Sequence, residues 1–201
     1  MKILLVGATG TLGKAVHAVL AERHEVVTAS RGGAADLKAD ITDPGSIDAL
    51  YREAGSVDAV VCTAGGVPFR PLAELTHDDL RTAAHDKLLG QIELVRRGIP
   101  AVTDGGSFTL VTGILSDEPI RTGALASMAN GAVDAFVRAA ATELPRGLRI
   151  NSVSPTVLTE SAAKYEAFFP GFEPVGAHAA ALAYRRSVEG VQTGRVYRVG
   201  W

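Results

Sequence analysis

Short continuous apolar runs alternate along the chain with longer stretches in which apolar residues recur at helical spacing. The runs predict strands at Lys2–Val6, Glu25–Ala29, Ala59–Thr63, Ser107–Thr112, Arg149–Ser154 and Arg195–Val199, with a shorter one at Asp36–Ala39. Most are apolar throughout, which suits strands covered on both faces. The stretches between them predict helices at Leu12–Arg23, Pro44–Ala54, His77–Val95, Leu125–Leu144, Ser161–Phe168 and His178–Val188. Asp43-Pro44 and Thr76-His77-Asp78-Asp79 are good helix starts, with a side-chain oxygen for the free N–H groups or an acidic first turn. This βα repetition predicts an α/β protein: one domain over residues 1–201, a doubly wound parallel sheet with right-handed crossovers. Phe168–Val175, Phe-Phe-Pro-Gly-Phe-Glu-Pro-Val, is the one irregular region and is read as a mobile flap.

Composition narrows the picture. A chain of 201 residues fits one domain, and 47% hydrophobic with 21% charged residues describes an ordinary globular protein. A net charge of −2 gives no electrostatic reason to expect nucleic acid or an anionic membrane as partner. No apolar run approaches the roughly 20 residues of a membrane span, and Lys2–Val6 is too short for a signal-peptide core. The single cysteine, Cys62, excludes an intramolecular disulfide and reads as a buried strand thiol. A cytoplasmic protein is the expectation. His17, His24, His77, His85 and His178 are scattered, so no metal site is expected.

The first strand runs into Gly7-Ala-Thr-Gly10-Thr-Leu-Gly13, three glycines spaced three apart ahead of an amphipathic stretch. Gly7 permits the tight turn, Gly10 lets backbone approach a pyrophosphate, and Gly13 lets the helix pack close to the sheet. The free N–H groups and positive dipole end of that helix then face the anion. With Thr9, Thr11 and Leu12, these glycines form a candidate dinucleotide site on a Rossmann-type fold. At the end of the second strand, where NAD-preferring sites place an acidic residue against the 2′-hydroxyl, the chain has Ser30 and Arg31. A hydroxyl and a guanidinium suit a 2′-phosphate, so NADP(H) is expected in preference to NAD(H).

Several further segments fall in the order expected of the short-chain dehydrogenase/reductase family, and the resemblance covers nearly the whole chain. The glycine loop resembles that family's cofactor loop in the spacing of its extended and atypical members. Asp40-Ile41-Thr42-Asp43 resembles the segment bracketing the adenine, and Thr63-Ala64-Gly65-Gly66 resembles the Asn-Asn-Ala-Gly that ends the fourth strand. Lys87-Leu-Leu-Gly90 sits where the family often has Asn-x-x-Gly on a long helix. Gly106-Ser-Phe-Thr-Leu-Val-Thr112-Gly113 resembles the fifth strand, Arg149-Ile-Asn151-Ser-Val-Ser-Pro155 the sixth, and Thr193-Gly194-Arg-Val-Tyr-Arg-Val the last. The resemblance implies cofactor contacts at Asp40, Ile41, Ala64, Gly65 and Gly66, with Pro155 and Val157 beside the nicotinamide. It also implies a homodimer or homotetramer built on the two long helices.

The departures bear on function. The family's Tyr-x-x-x-Lys falls on Ala126-Ser-Met-Ala-Asn130, and its catalytic Ser on Gly113. Alanine and glycine transfer no proton and Asn130 carries no charge, so the usual tyrosine mechanism is not expected. The remaining candidates are Lys87, which takes the place of the helix asparagine, Thr112 at a strand end, and Ser116 three residues beyond Gly113. Leu80, Leu88, Ile92 and Val95 are expected to mark the packed side of Lys87's helix, and Met128 to fill space left by the missing tyrosine. The chain therefore reads as an atypical NADP(H)-binding oxidoreductase acting on a small molecule. The alternatives are a redox-silent nucleotide-binding sensor or partner subunit, or a non-redox isomerase or lyase.

Overall fold

A computed structural model describing all 201 residues has seven parallel strands in one sheet. They are β1 (Lys2–Val6), β2 (Glu25–Ser30), β3 (Leu37–Lys38), β4 (Val57–Cys62), β5 (Val102–Val111), β6 (Arg149–Pro155) and β7 (Val196–Val199). The order is β3-β2-β1-β4-β5-β6-β7, so the winding reverses between β1 and β4. The helices are α1 (Thr11–Ala21), α2 (Pro44–Ala54), α3 (His77–Ala83), α4 (Gly90–Gly98), α5 (Ala124–Ala140), the single-turn α6 (Ala162–Tyr165) and α7 (Ala177–Glu189).

Strand alternation explains why β1 and most of β4 are apolar at successive positions. Leu4 and Val6 of β1 enter a core with Leu50, Tyr51, Leu94, Val133 and Val137, beneath α2, α4 and α5. Ile3 and Leu5 point the other way, to Val16, Val19, Leu20, Tyr184 and Val188 of α1 and α7. Successive side chains leave opposite faces of a strand, so a sheet covered on both sides buries both sets of positions, polar Thr109, Asn151 and Ser152 among them. The caps form as expected: Asp43 accepts from the Gly45 N–H at 2.9 Å, and Thr76 and Asp79 form a reciprocal capping box.

The strands and helices otherwise fall within a few residues of their expected places. β5 starts earlier, at Val102, and α5 ends at Ala140, with Pro145 beyond the turn that follows. The large departure is the helix expected over His77–Val95. It is interrupted between α3 and α4 by a π-helical segment, Ala84–Leu89, whose wider turn shifts the helical face. Leu80, expected on the packed side, is 42% exposed. Val95 is buried as expected and Leu88 packs against the core, while Ala83, Gly90, Gln91 and Leu94 are further buried positions, so the departure from the expected stripe is at Leu80.

Candidate active site

Two cavities open along the carboxyl ends of the strands, where the strand order reverses; ligands of open α/β sheets bind there. The first, of about 510 Å³, is lined by Gly7, Thr9 and Gly10 of the glycine loop, Ser30 and Arg31 after β2, Asp40 and Ile41, and Thr63–Gly66 after β4. Gly7 has φ +89°, and a Cβ there would lie 2.8 Å from the Ala64 nitrogen and the Thr63 Oγ1. A Cβ on Gly13 would overlap the Gly7 carbonyl oxygen, so this glycine sets the approach of α1 to the loop. Gly10 is different: its nearest neighbour would be the Gly7 oxygen at 3.5 Å, an ordinary contact. No side chain caps Gly10, which leaves the first-turn N–H groups of α1 for an anion. Thr11 is exposed at the start of that turn and Leu12 is buried in the core; neither side chain lines the cavity.

Around this cleft the side chains are held by short local bonds. Thr63 Oγ1 donates toward the carbonyls of Val6 and Gly7, tying the end of β4 to the glycine loop. Asp40 accepts from the Thr42 N–H and hydroxyl, which hold its carboxyl below the usual range. The Ser30 hydroxyl donates to the Gly32 carbonyl at 2.6 Å, bracing the loop that carries Arg31. Arg31 itself is exposed and makes no ion pair with a protein carboxylate.

The second cavity, about 380 Å³, shares Thr63, Gly65 and Gly66 with the first. Its walls are mostly apolar, including Phe69, Ile114, Leu115, Val157, Leu158 and Phe169. The Phe168–Val175 segment is irregular as expected, and its rings stack toward Phe69, with Phe69 and Phe168 centroids 5.5 Å apart. Pro155 and Val157 line the floor near Lys87, Thr112, Gly113, Ala126 and Asn130. Ala126, the position at which the sequence reading expects the family's tyrosine, lines the cavity. Met128 does not fill that space: it is 42% exposed, because two positions along a helix carry the side chain to another face. Ser116 lies outside the lining, with its hydroxyl directed to the Gly113 carbonyl and the Asp117 carboxylate. Asp117 pairs with Arg198 at 3.2 Å, and neither it nor Glu118 reaches the cavity lining.

Lys87 is the one amine in the lining. The π-helical segment delivers it, and Gly65 makes room: a Cβ on Gly65 would lie 3.1 Å from the Lys87 Cα and 3.3 Å from its Cγ. Burial pushes the Lys87 amine down to about 8, opposed by the nearby Cys62, Asp134 and Asp86. Burial likewise holds the Cys62 thiol up at about 12.

Three polar residues organise this end of the site, of which Gln91 and Asp134 were not singled out in the sequence. Gln91 is fully buried and spans two elements, donating to the carbonyls of Lys87 and Val111 and accepting from the Val111 N–H at 2.8 Å. It thereby fixes the Lys87 turn against the end of β5, at Val111, next to Thr112. Asn130 donates weakly to the Gly113 carbonyl at 3.4 Å, and its Oδ1 is a buried acceptor with no partner. Asp134, one turn further along α5, is buried and accepts from the Ser152 hydroxyl at 2.7 Å. A sequence signal existed for the last two: Asn130 and Asp134 share a helical face with Val133 and Val137, where a polar residue must find a buried partner.

The comparisons with known proteins agree with this architecture. The family model described as enoyl-(acyl carrier protein) reductase matches residues 7–196. The chain belongs to the short-chain dehydrogenase/reductase family. It is similar to a structurally determined protein of Listeria innocua, with 52% identity, a TM-score of 0.97 and 99% of each chain covered. The fold is shared with a small-chain dehydrogenase determined in complex with NADPH, at 24% identity and a TM-score of 0.87, covering 99% of this chain and 96% of the other. An uncharacterized oxidoreductase of Methylorubrum extorquens is 30% identical over 142 residues, 68% of this chain and 57% of that protein; the chain thus spans little more than half the length of that relative. No helix is long and apolar enough to cross a membrane.

Proposed function

We propose that the protein is an NADP(H)-dependent oxidoreductase of a small, largely apolar carbonyl compound, in which Lys87 and Thr112 take over the work of the missing tyrosine. The observation that carries this reading is the partly buried Lys87 amine at the seam between the polar cleft and the apolar cavity, tuned to about 8. The cleft fits a dinucleotide: a glycine cradle open at Gly10, an uncapped helix start, and a free guanidinium at Arg31 for a 2′-phosphate. The similarity to an NADPH-bound dehydrogenase structure supports the same reading at the level of the fold. A nicotinamide, when bound, supplies the hydride.

The protein's own groups then handle the oxygen. In the family pattern asparagine stands on the long helix and lysine follows the tyrosine by four; here the two residue types have changed places, with Lys87 on the helix and Asn130 on α5. An ammonium reaching the cavity from the helix side stabilises the negative charge that develops on a carbonyl oxygen and can release a proton to it. The Thr112 hydroxyl, 4% exposed and only loosely bonded to the Val153 carbonyl at 3.5 Å, orients that oxygen. The unpartnered Asn130 Oδ1 accepts from a ligand hydroxyl or amide. Ser116 acts only on the turn after β5, through Gly113.

Calorimetry with NADPH and NADH, followed by NADPH-oxidation assays against apolar ketones and enones, tests the proposal. Lys87→Met is expected to retain NADPH binding and lose at least about 100-fold in turnover, the scale of a positioned acid. NADPH binding with no turnover of any carbonyl compound by the wild type would move the protein to the redox-silent class.

A further inference from the structure

We infer, on the reading of the apolar cavity as a carbonyl site, that its substrate carries the carbonyl on an aromatic ring: Phe69, Tyr165 and Phe169 form a wall that selects a flat ring over a saturated one of the same size. Four of the chain's six phenylalanines, Phe69, Phe168, Phe169 and Phe172, gather with Tyr165 at this one place. The other two, Phe108 and Phe136, belong to the core beneath α2, α4 and α5. Phe108 is fully buried, whereas all five rings of the cluster are only half-buried. Tyr165 and Phe169 line both the cavity and a second, mostly apolar hollow of about 270 Å³ beside it. Core side chains are packed on every side; these rings border open space on more than one, so they lack contacts that a ligand supplies.

The rings hold one another in place. The segment that carries four of them is tied to the body at its ends by main-chain bonds: the Thr159 N–H donates to the Val175 carbonyl at 2.9 Å, and the Val175 N–H to the Val157 carbonyl at 3.0 Å. Between those ends the ties are aromatic. Phe69, from the chain after β4, lies 5.5 Å from Phe168 and 6.0 Å from Tyr165 between centroids, tilted against both. Phe169 lies 6.3 Å from Tyr165 and 5.4 Å from Phe172, edge to face with each. At these separations and angles ring quadrupoles attract. A ligand ring placed among Phe69, Tyr165 and Phe169 extends the pattern and gains a directional attraction that a saturated ring does not. Elsewhere the apolar lining is aliphatic, as at Ile114 and Leu115, and offers area alone. Lys87 and Thr112 line the same cavity, so one space holds both the ring and the groups proposed for its carbonyl oxygen.

Acetophenone and cyclohexyl methyl ketone, which differ only in the saturation of the ring, test this by binding alone, in the presence of NADP+ so that no hydride is available. The chain's single tryptophan, Trp201, packs against Ile114, Leu115 and Ala126 of the cavity wall, and its indole N–H donates to the Ser154 carbonyl at 2.8 Å. Its one indole N–H resonance therefore needs no assignment and reports an aryl ring in the cavity; the saturated ketone is measured by displacement. The saturated ring exposes at least as much apolar surface, so area alone does not favour acetophenone. The wild type should nevertheless bind acetophenone about tenfold more tightly, the sum of ring contacts worth a few-fold each. Phe169→Leu and Phe69→Leu, on separate segments, should each weaken acetophenone about threefold to tenfold and leave cyclohexyl methyl ketone within about twofold. Equal wild-type affinities would overturn the inference, as would a preference that survives both substitutions or an equal loss of both ketones, which would make the rings mere filling. An aryl preference without turnover of any aryl ketone with NADPH leaves the wall's selectivity standing and removes the oxidoreductase reading. Turnover without the preference does the reverse.

Discussion

The two cavities that share Thr63, Gly65 and Gly66 are built of different material. The cleft proposed for the nucleotide is made largely of backbone: a glycine turn, a helix start without a cap, and a loop braced by Ser30 and Gly32. The apolar cavity beside it is made of side chains, and its polar floor is a set of long polar groups brought in from α5, β5 and a distorted helix. Backbone recognition of phosphate depends on the absence of side chains, so few sequences satisfy it and it changes little. A floor of side chains can be rebuilt, provided an amine or hydroxyl still reaches the same point. In the function proposed here the floor is of this rebuilt kind: Lys87 brings the charge in from the π-helical segment, with Asn130 on α5 across from it.

The sharpest break in that comparison comes from two glycines three residues apart. Gly13→Ala should destabilise the fold by about 3 kcal/mol or more, because its Cβ would meet the Gly7 carbonyl and the Ala8 backbone, and backbone does not yield. Gly10→Val should leave the melting temperature within a few degrees of wild type and weaken NADPH binding at least about 100-fold, roughly 2.7 kcal/mol. Thermal melts and calorimetry on the same two variants separate packing from ligand approach. A Gly10→Val protein that still binds NADPH would remove the cleft from the phosphate's path.

On the side-chain half, the Lys87 amine should cost stability where it serves function. Its folded value, about 8, lies below the ordinary 10.5, so between these the unfolded chain binds more protons and wild-type stability rises with pH. Below pH 8 the whole burial penalty is present; above about 10.5 it is gone. Lys87→Met should therefore be more stable than wild type by about 1–3 kcal/mol at pH 7, a range that allows for Lys87 being partly exposed. The gain should vanish above pH 10.5. Denaturant melts at pH 7 and pH 10.5 check the sign, and a Lys87→Met variant no more stable than wild type at pH 7 would put the amine in water.

The same division explains what could be read from the chain. Strand faces are covered on both sides, so β1 and β4 announce themselves as largely apolar runs, and Gly7 and Gly13 sit where backbone geometry admits nothing larger. The π-helical turn was not legible, because His77–Val95 keeps a helical spacing of apolar residues, and the shift depends on Gln91 bonding across to Val111. Leu80 was misplaced because periodicity ranks faces by hydrophobicity, and Met128 because it lies two positions from Ala126 and so on another face of α5. Asp134 was overlooked because one acid on a helix is ordinarily solvated, and its burial follows from Ser152 on a strand eighteen residues away in sequence.

At the adenosine end the cleft does use one side chain. Arg31→Ala should weaken NADPH binding by about 1.5–3 kcal/mol, roughly tenfold to a hundredfold, and leave NADH binding unchanged, since a charge-assisted bond to the 2′-phosphate is lost and nothing else. Calorimetry at fixed salt reads the difference. Equal wild-type affinities for the two nucleotides would end the NADP(H) assignment.

The smallest effect is expected at Ser30. The sequence places its hydroxyl beside Arg31 as a second donor to a phosphate, but in the structure its proton goes to the Gly32 carbonyl at 2.6 Å, and the Thr9 hydroxyl approaches the same oxygen at 3.3 Å. A hydroxyl has one proton to give. Ser30 therefore braces the loop, and Ser30→Ala should loosen Arg31 without removing a phosphate contact. The expected loss in NADPH affinity is about 0.5–1 kcal/mol, less than tenfold, and it should disappear when Arg31 is already alanine, because the brace then has nothing left to position. A double-mutant cycle with the single variants Ser30→Ala and Arg31→Ala tests this directly. Additive losses, each as large in the double variant as alone, would mean that Ser30 turns its proton to the phosphate on binding and that the cleft reads its ligand with two side chains instead of one.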